Sequence, residues 1–323
     1  MLADRFELQK LAGAGGMGRV YRARDQATGG DVAVKVLPGD GDVARFAREA
    51  EVLASLDHAG IVRHVAHGVT PEGWQYLAME WLDGEDLSRR LDRGGTLRVE
   101  ETLLLATGVA DALSAAHARR IVHRDLKPGN LFLVGGRLEA VKLLDFGIAR
   151  MLSGGELTVS GAVIGTPQYM APEQVRGAPV DARADVYGLG AVMFRCLVGR
   201  PPFGGAHQVA VLAKIVLESP PRLRDLCPDA PADLEALLER MLSKEPDLRP
   251  ADALALREEL AAIGAPRSGR PLQMRAAVTG RERRVASVVL CARSFEDETT
   301  RPETMQSPAE DALVRTIRER GGV

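Results

Sequence analysis

Apolar and polar residues alternate from Arg5 to Leu11 and again from Val20 to Ala23, with Gly13-Ala14-Gly15-Gly16-Met17-Gly18 between them. Period-two alternation on both sides of a glycine-rich stretch predicts a β-hairpin with a flexible tip. Residues 31–37 form a third, more apolar strand in which Lys35 stands between Val34 and Val36. From Val43 to Leu56 the pattern changes to a helical one, and Glu51, about 200° around the helix from Glu49, is expected to face solvent. Residues 61–69 and 74–80 read as two further strands joined at Thr70-Pro71-Glu72-Gly73. Beyond them the period is helical: residues 86–91, 99–119, an apolar helix beginning at Asp185, and stretches at 207–217, 231–242 and 251–262. In the second of these, Leu103, Ala106, Val109, Ala110, Leu113 and Ala116 fall near one face. Five strands and one helix followed by a run of helices predict an α+β fold.

Residues 264–284 lose the apolar period, are rich in Gly, Pro and Arg, and read as a linker. A strand at 285–290 and a helix at 309–320, with Leu313, Val314 and Ile317 on one side, complete a tail at 285–323. One strand and one helix cannot enclose a core, so this tail packs on the preceding domain, is disordered, or is the stump of something longer.

Composition narrows the class. The chain has 323 residues, is 46% hydrophobic, and carries a formal net charge of −2. That is enough apolar material for a large core, with no basic surplus to suggest a nucleic-acid partner. Cys196, Cys227 and Cys291 are odd in number, widely spaced, and read as reduced structural residues without metal-ligand spacing. The longest apolar stretch, Leu189 to Val198, is interrupted by Arg195 and is too short to span a bilayer, so a cytoplasmic location is the expectation.

Only six of the 42 basic residues are lysine, and two of those, Lys35 and Lys127, stand inside candidate chemical motifs. His123-Arg124-Asp125-Leu126-Lys127-Pro128-Gly129-Asn130 sets an acid, a lysine and an amide at a spacing suited to a triphosphate and a metal together. Twenty residues after Asp125 comes Asp145-Phe146-Gly147. Glycines at 13, 15 and 18 would let backbone N–H groups approach phosphate oxygens. A dinucleotide-binding turn would instead need a helix directly after them, where Arg19 to Arg22 continues as strand.

In this order, GAGGMGRVY, VAVK, HRDLKPGN, DFG, IGTPQYMAPEQ and DLRP make the chain resemble the eukaryotic-type serine/threonine protein kinases, and the bacterial members most. The resemblance covers roughly residues 5–263. It implies a bilobal fold, with a small five-stranded β lobe and one main helix at 5–82 and a larger, mostly helical lobe at 83–263. It also implies Mg²⁺ and ATP, transfer of the γ-phosphoryl group to Ser/Thr hydroxyls of proteins, and a signalling role with autophosphorylation, for which a homodimer would serve. Ala12, Gly13, Ala14, Gly15, Gly16, Met17, Gly18, Arg19 and Val20 would cover the nucleotide, and Ala33 and Met79 would line the adenine pocket. Glu80 to Leu82 would form the linker that hydrogen-bonds the base, and Glu49 would hold Lys35 on the α- and β-phosphates. Asp125 would orient the acceptor hydroxyl and take its proton, Lys127 would neutralise the moving phosphoryl group, and Asn130 and Asp145 would hold magnesium. Thr166 would contact the catalytic aspartate, Glu173 would pair with Arg249, and Asp185 would brace the catalytic loop. Arg124 marks the subclass whose activation segment is controlled by phosphorylation, with Thr158 and Ser160 as candidate sites in a glycine-rich loop. Lys127, two residues after Asp125, favours Ser/Thr over Tyr specificity.

The competing readings are a docking protein that keeps the fold without transfer, and a small-molecule kinase, against which Thr166 and the APE motif argue. The sequence departs from the family at Ala12, where a larger aliphatic residue is usual, and at Ala59, where proline is common. Residues 283–290 faintly resemble the first strand of class III nucleotide-cyclase domains, but Arg293 stands near the place of their metal-binding aspartate, so catalysis by the tail is not expected.

Overall fold

A computed structural model describes residues 1–15, 18–37, 43–146, 158–159, 162–163, 167–205 and 207–264. The sequence-stretches expected to form the linker and the tail, and Cys291 with them, lie outside the described residues, as do Gly16, Met17, Ser160 and Thr166.

The chain folds into two lobes of an α+β protein. In the first, β1 (Phe6–Gly15), β2 (Gly18–Asp25), β3 (Asp31–Leu37), β4 (His64–Val69) and β5 (Gln75–Glu80) form one antiparallel sheet in the order β1-β2-β3-β5-β4, with α1 (Val43–Ala54) against it. The turn expected over 13–18 is shorter than the glycines suggest, because the ladder continues through Gly13↔Val20, Ala14↔Arg19 and Gly15↔Gly18. Two register irregularities in β1 absorb the mismatch.

The central strands are buried on both faces, so their sequences do not alternate. Val34, Val36, Tyr76 and Ala78 join Phe6 and Tyr21 in one cluster, whereas Leu37, Leu77 and Met79 meet Phe46 and Ala50 of α1 on the other side. In register, Ala33 lies opposite Met79 and Lys35 opposite Leu77, which sets Lys35 on the α1 side of the sheet.

The second lobe contains a three-stranded sheet that the apolar pattern did not reveal. It comprises β6 (Gly84–Asp86), β7 (Leu131–Val134) and β8 (Val141–Leu143), strands too short to show a period. Helix α2 (Leu87–Gly94) begins after Asp86, whose carboxylate accepts from Arg89 N, and runs a turn beyond the expected end at 91. Helix α3 (Val99–His117) stops two residues short of expectation, followed by Arg120 in the left-handed region (φ 60°). After these come β9 (Thr158–Val159), β10 (Ala162–Val163), α4 (Pro172–Val175), α5 (Ala182–Val198), α6 (Gln208–Leu217), α7 (Leu223–Leu226), α8 (Ala232–Met241) and α9 (Ala253–Gly264). The pairing of β9 with β10 replaces the featureless loop expected there, and its Thr and Val residues have the β-branched shape that suits a ladder.

Helix α5 is the axis of this lobe: 13 of its 17 residues are buried, from Ala184 to Leu197, and it packs between α3, α8 and α9. At Gly188 a Cβ would come within 3.1 Å of the Leu126 Cβ, so glycine there lets the helix approach the loop carrying Asp125. Cys196 and Cys227 are free thiols, as expected. Among the described residues no helix is long and apolar enough to cross a membrane.

Candidate active site

The loop between α3 and β7 brings Asp125, Lys127 and Asn130 together. Lys127 Nζ lies 2.6 Å from Asp125 Oδ2, and Asn130 Nδ2 donates to the same oxygen at 3.0 Å and to the Asp125 carbonyl at 2.8 Å. With its nitrogen committed to Asp125, the Asn130 amide turns its oxygen the other way. The tight turn Pro128–Asn130 makes this possible, with Asn130 N donating to the Lys127 carbonyl.

Asp185 of α5 holds this loop from below. Its carboxylate accepts from His123 N at 2.8 Å (Oδ2) and from Arg124 N at 2.8 Å (Oδ1). Arg124 adopts a left-handed backbone (φ 64°), a conformation that L residues keep only when their surroundings fix it. His117 completes the support: its Nε2 lies 2.9 Å from Asp185 Oδ2, while its Nδ1 accepts from Ala253 N at 3.2 Å. An accepting Nδ1 leaves the proton on Nε2, which donates to Asp185. The apolar pattern of α3 hid His117, since a lone histidine beside an alanine-rich face carries no signal of its own.

His123 is wholly buried and packs on Phe146, with ring centroids 4.7 Å apart; its Nε2–H donates to the Leu144 carbonyl at 2.8 Å. These contacts match packing roles for His123 and Phe146. Asp145, also left-handed (φ 46°), directs Oδ2 to Lys35 Nζ at 2.9 Å. Lys35 is only 8% exposed, so this carboxylate is its compensating charge among the described residues. Glu49, the partner expected for Lys35, belongs to α1, but its side chain lies outside the described residues. Glu51 is exposed, as expected.

Glycines 13 and 18 differ in what requires them. A Cβ on Gly18 would lie 2.3 Å from the Val36 carbonyl oxygen at φ +113°, so the hairpin itself demands glycine; one on Gly13 would meet nothing within 4 Å. Packing among the described residues thus gives no reason for Gly13. Ala12, Ala14, Arg19 and Val20 extend the two strands on either side. Glu80, at the end of β5, accepts from Arg63 N at 2.8 Å and pairs with Lys142 of β8, a contact between the lobes that no motif foretold. Trp81 and Leu82 follow outside any strand or helix.

Met79 lines a small cavity, about 30 Å³, with Leu53, Ile61, His64, Asp145 and Phe146. A larger one, about 400 Å³, opens in the second lobe beside Leu223, Leu238 and Lys244, but none of the residues above line it. Converging charge, rather than volume, marks the site. His64 Nε2 lies 3.0 Å from His67 Nδ1. Burial, with a smaller contribution from His67, lowers its pKa from 6.5 to about 4. Between these values the unfolded chain binds the extra proton, so the contribution is intact above the unfolded pKa and stability falls as pH drops toward about 4. The urea midpoint is expected to fall between pH 7 and 5, and His64→Gln should flatten that part of the curve; an equal fall in the variant would assign the acid sensitivity elsewhere.

Glu173 and Arg249, 76 residues apart in sequence, form a bidentate pair at 2.7 and 2.9 Å with side chains 7% and 0% exposed. Arg249 also donates to the Ser243 and Arg183 carbonyls and stacks on Tyr187. Gln174, which the sequence did not single out, ties this segment to the loop: its Nε2 donates to the Arg124 carbonyl at 2.8 Å. Thr158 is described only through the β9 backbone.

Comparison with known proteins matches residues 6–260 to the model of the protein kinase domain. The chain is 40% identical over 269 residues to serine/threonine-protein kinase PknB of Mycolicibacterium smegmatis, covering 80% of this chain and 43% of that protein. It is 40% identical over 271 residues to a probable serine/threonine-protein kinase of Streptomyces coelicolor (81% and 40%). To serine/threonine-protein kinase pkn3 of Myxococcus xanthus it is 38% identical over 276 residues (81% and 50%). The aligned stretches thus span about half, or less, of these relatives' length.

Proposed function

Because the chain belongs to the protein kinase domain family, we propose that it is a serine/threonine protein kinase that moves the γ-phosphoryl group of ATP to protein hydroxyls. The observation that carries this reading is the convergence of Asp125, Lys127 and Asn130 within hydrogen-bonding distance, with Asp145 held beside Lys35. Such transfer is mostly positioning and charge neutralisation, which these side chains can supply.

Asp125 is the group that orients the acceptor hydroxyl and takes its proton. Lys127, already against Asp125, offsets negative charge at the reacting phosphoryl group. Lys35 is the cation for the α- and β-phosphates, with Glu49 its partner on α1, and the backbone of residues 12–20 closes over them. Ala33 and Met79 face adenine, and Glu80 to Leu82 present the backbone that reads it. The Asn130 amide oxygen and the Asp145 carboxylate are hard ligands suited to magnesium, which supplies charge neutralisation on the phosphates when bound. Among the described residues no three His, Cys, Asp or Glu side chains gather as a metal site. None is needed, because magnesium binds through one or two protein oxygens plus phosphate and water.

Thr166 is the residue assigned by the resemblance to select hydroxyl acceptors, while the Glu173–Arg249 pair anchors the segment that follows it and Asp185 keeps the loop in place. Substrates are proteins; the location is cytoplasmic, and two copies associate for autophosphorylation in trans. Residues 264–284 link the kinase to a non-catalytic tail at 285–323. The test is incorporation of labelled phosphate, with ATP and magnesium, into the chain and a generic protein substrate. Incorporation no greater than that of Asp125→Asn would leave the docking-protein reading instead.

Phosphorylation of Thr158, Ser160 or both is the switch. Each phosphate adds about −1.5 to −2 charges that can pair with arginine, Arg124 among them, and order the segment. Mass spectrometry after incubation with ATP should find phosphate there, and Thr158→Ala/Ser160→Ala should lose most activity on an added substrate. Unchanged activity in that double variant would remove the switch and leave the kinase.

A further inference from the structure

Arg195 of α5 is a half-buried cation whose ion-pair partner is mostly in water. Its side chain is 19% exposed, and its counter-charge, Asp92 of α2, is 65% exposed and 2.6 Å away. Its Nη1 donates to Tyr169 Oη at 3.1 Å, and its Nε–H is buried without a hydrogen-bond partner among the described residues. A guanidinium carries five donors, so this one keeps unused capacity at a desolvated nitrogen. Holding α2 in position does not explain that cost, because the chain leaving α2 is already fixed to α5 by Leu97 N donating to the Cys196 carbonyl at 2.7 Å. An ion pair with so exposed a partner contributes little and is readily exchanged.

The surroundings show what could take Asp92's place. Tyr169 is buried in the stretch between Thr166 and Glu173, which Gln174 ties to the Arg124 carbonyl. Its carbonyl and Leu126, the residue after Asp125, both border Gly188 of α5. Arg195 lies seven residues farther along that helix, about 10 Å at 1.5 Å per residue. An extended peptide with its hydroxyl at Asp125 covers such a distance in roughly two to four residues.

We propose that Arg195 determines acceptor specificity, selecting protein substrates that carry an acidic side chain roughly two to four residues from the reacting hydroxyl. The incoming carboxylate displaces Asp92 into solvent and takes the guanidinium face that Tyr169 leaves open. Charge-assisted pairing of this kind adds geometric selection to attraction, and a basic side chain at the same position meets a like charge. The inference rests on the kinase reading.

The test uses the full chain, ATP, magnesium and serine peptides that are identical except for Glu, Ala or Arg at each position from four before to four after the serine. At one position kcat/KM is expected to be about tenfold higher for Glu than for Ala, the lower end for a hydrogen bond to a charged group. Arg195→Glu should reverse the order of Glu and Arg at that position alone. Asp92→Ala, at an exposed site, should increase the Glu preference and serves as the second variant if Arg195→Glu does not fold. Phosphorylation with equal or basic preference at every position would overturn this inference and leave the kinase; absence of transfer to any peptide and to the chain itself would remove both.

Discussion

Asp145→Asn and Lys35→Met are each expected to reduce phosphoryl transfer by about 10²–10³-fold, or more, while the protein remains folded. Asp145 and Lys35 meet at 2.9 Å from opposite lobes. The resemblance gives them separate tasks, metal charge for one and phosphate charge for the other, so the two variants should fail alike for different reasons. The fold should survive because both apolar clusters of the first lobe are built without these side chains. Asp145→Asn leaves a largely buried Lys35 without its carboxylate, so its melting temperature should fall further than that of Lys35→Met, which replaces the cation with an apolar chain of similar length. Phosphate incorporation measured beside thermal unfolding checks both parts. Near-normal turnover in either variant would refute the assignment, and inactivity that accompanies global unfolding would make the residue structural.

Removing one side of the Glu173–Arg249 pair is expected to be the most destabilising single change, about 3–5 kcal/mol, because the charge left behind is buried. The exposures of 0% and 7% leave no water to compensate Arg249 in Glu173→Gln, or Glu173 in Arg249→Leu. Arg249 has further ties through Ser243, Arg183 and Tyr187, so its loss should cost at least as much as that of Glu173. The double variant Glu173→Leu/Arg249→Met is expected to be more stable than either single one, since taking out both charges removes the desolvation penalty with the attraction. Denaturant midpoints of the three variants decide it. Additive losses would mean that the two charges are not coupled and would overturn the buried-pair account. Activity should fall with either single change even where the fold persists, because the pair anchors the segment that Gln174 joins to Arg124.

The strands and helices that the sequence made legible are long, with one face toward a core. Helices α3, α6, α8 and α9 appear within two residues of their expected limits, as do β4's end and β5's. The strands β6, β7 and β8, of three, four and three residues, escaped because nothing so short displays a period. The hairpin tip was drawn too long because glycine was read as turn, whereas hydrogen bonds of the ladder hold Gly13 and Gly15 in strand.

What the sequence determined by itself was the inventory of chemistry: which acid, lysine and amide stand in one loop, and which motifs follow in what order. Those relations are local, and residues two to five apart have few ways to lie relative to each other once the backbone turns at Pro128. Only the tertiary structure decided the long-range partners. His117 meets Asp185 across 68 residues, Gln174 meets the Arg124 carbonyl across 50, and Arg195 meets Asp92 across 103. No periodicity encodes such pairs, because a polar side chain's partner depends on which elements pack beside it. Burial then makes each polar group left without a partner costly, so these pairings are set by the folded chain rather than by local sequence.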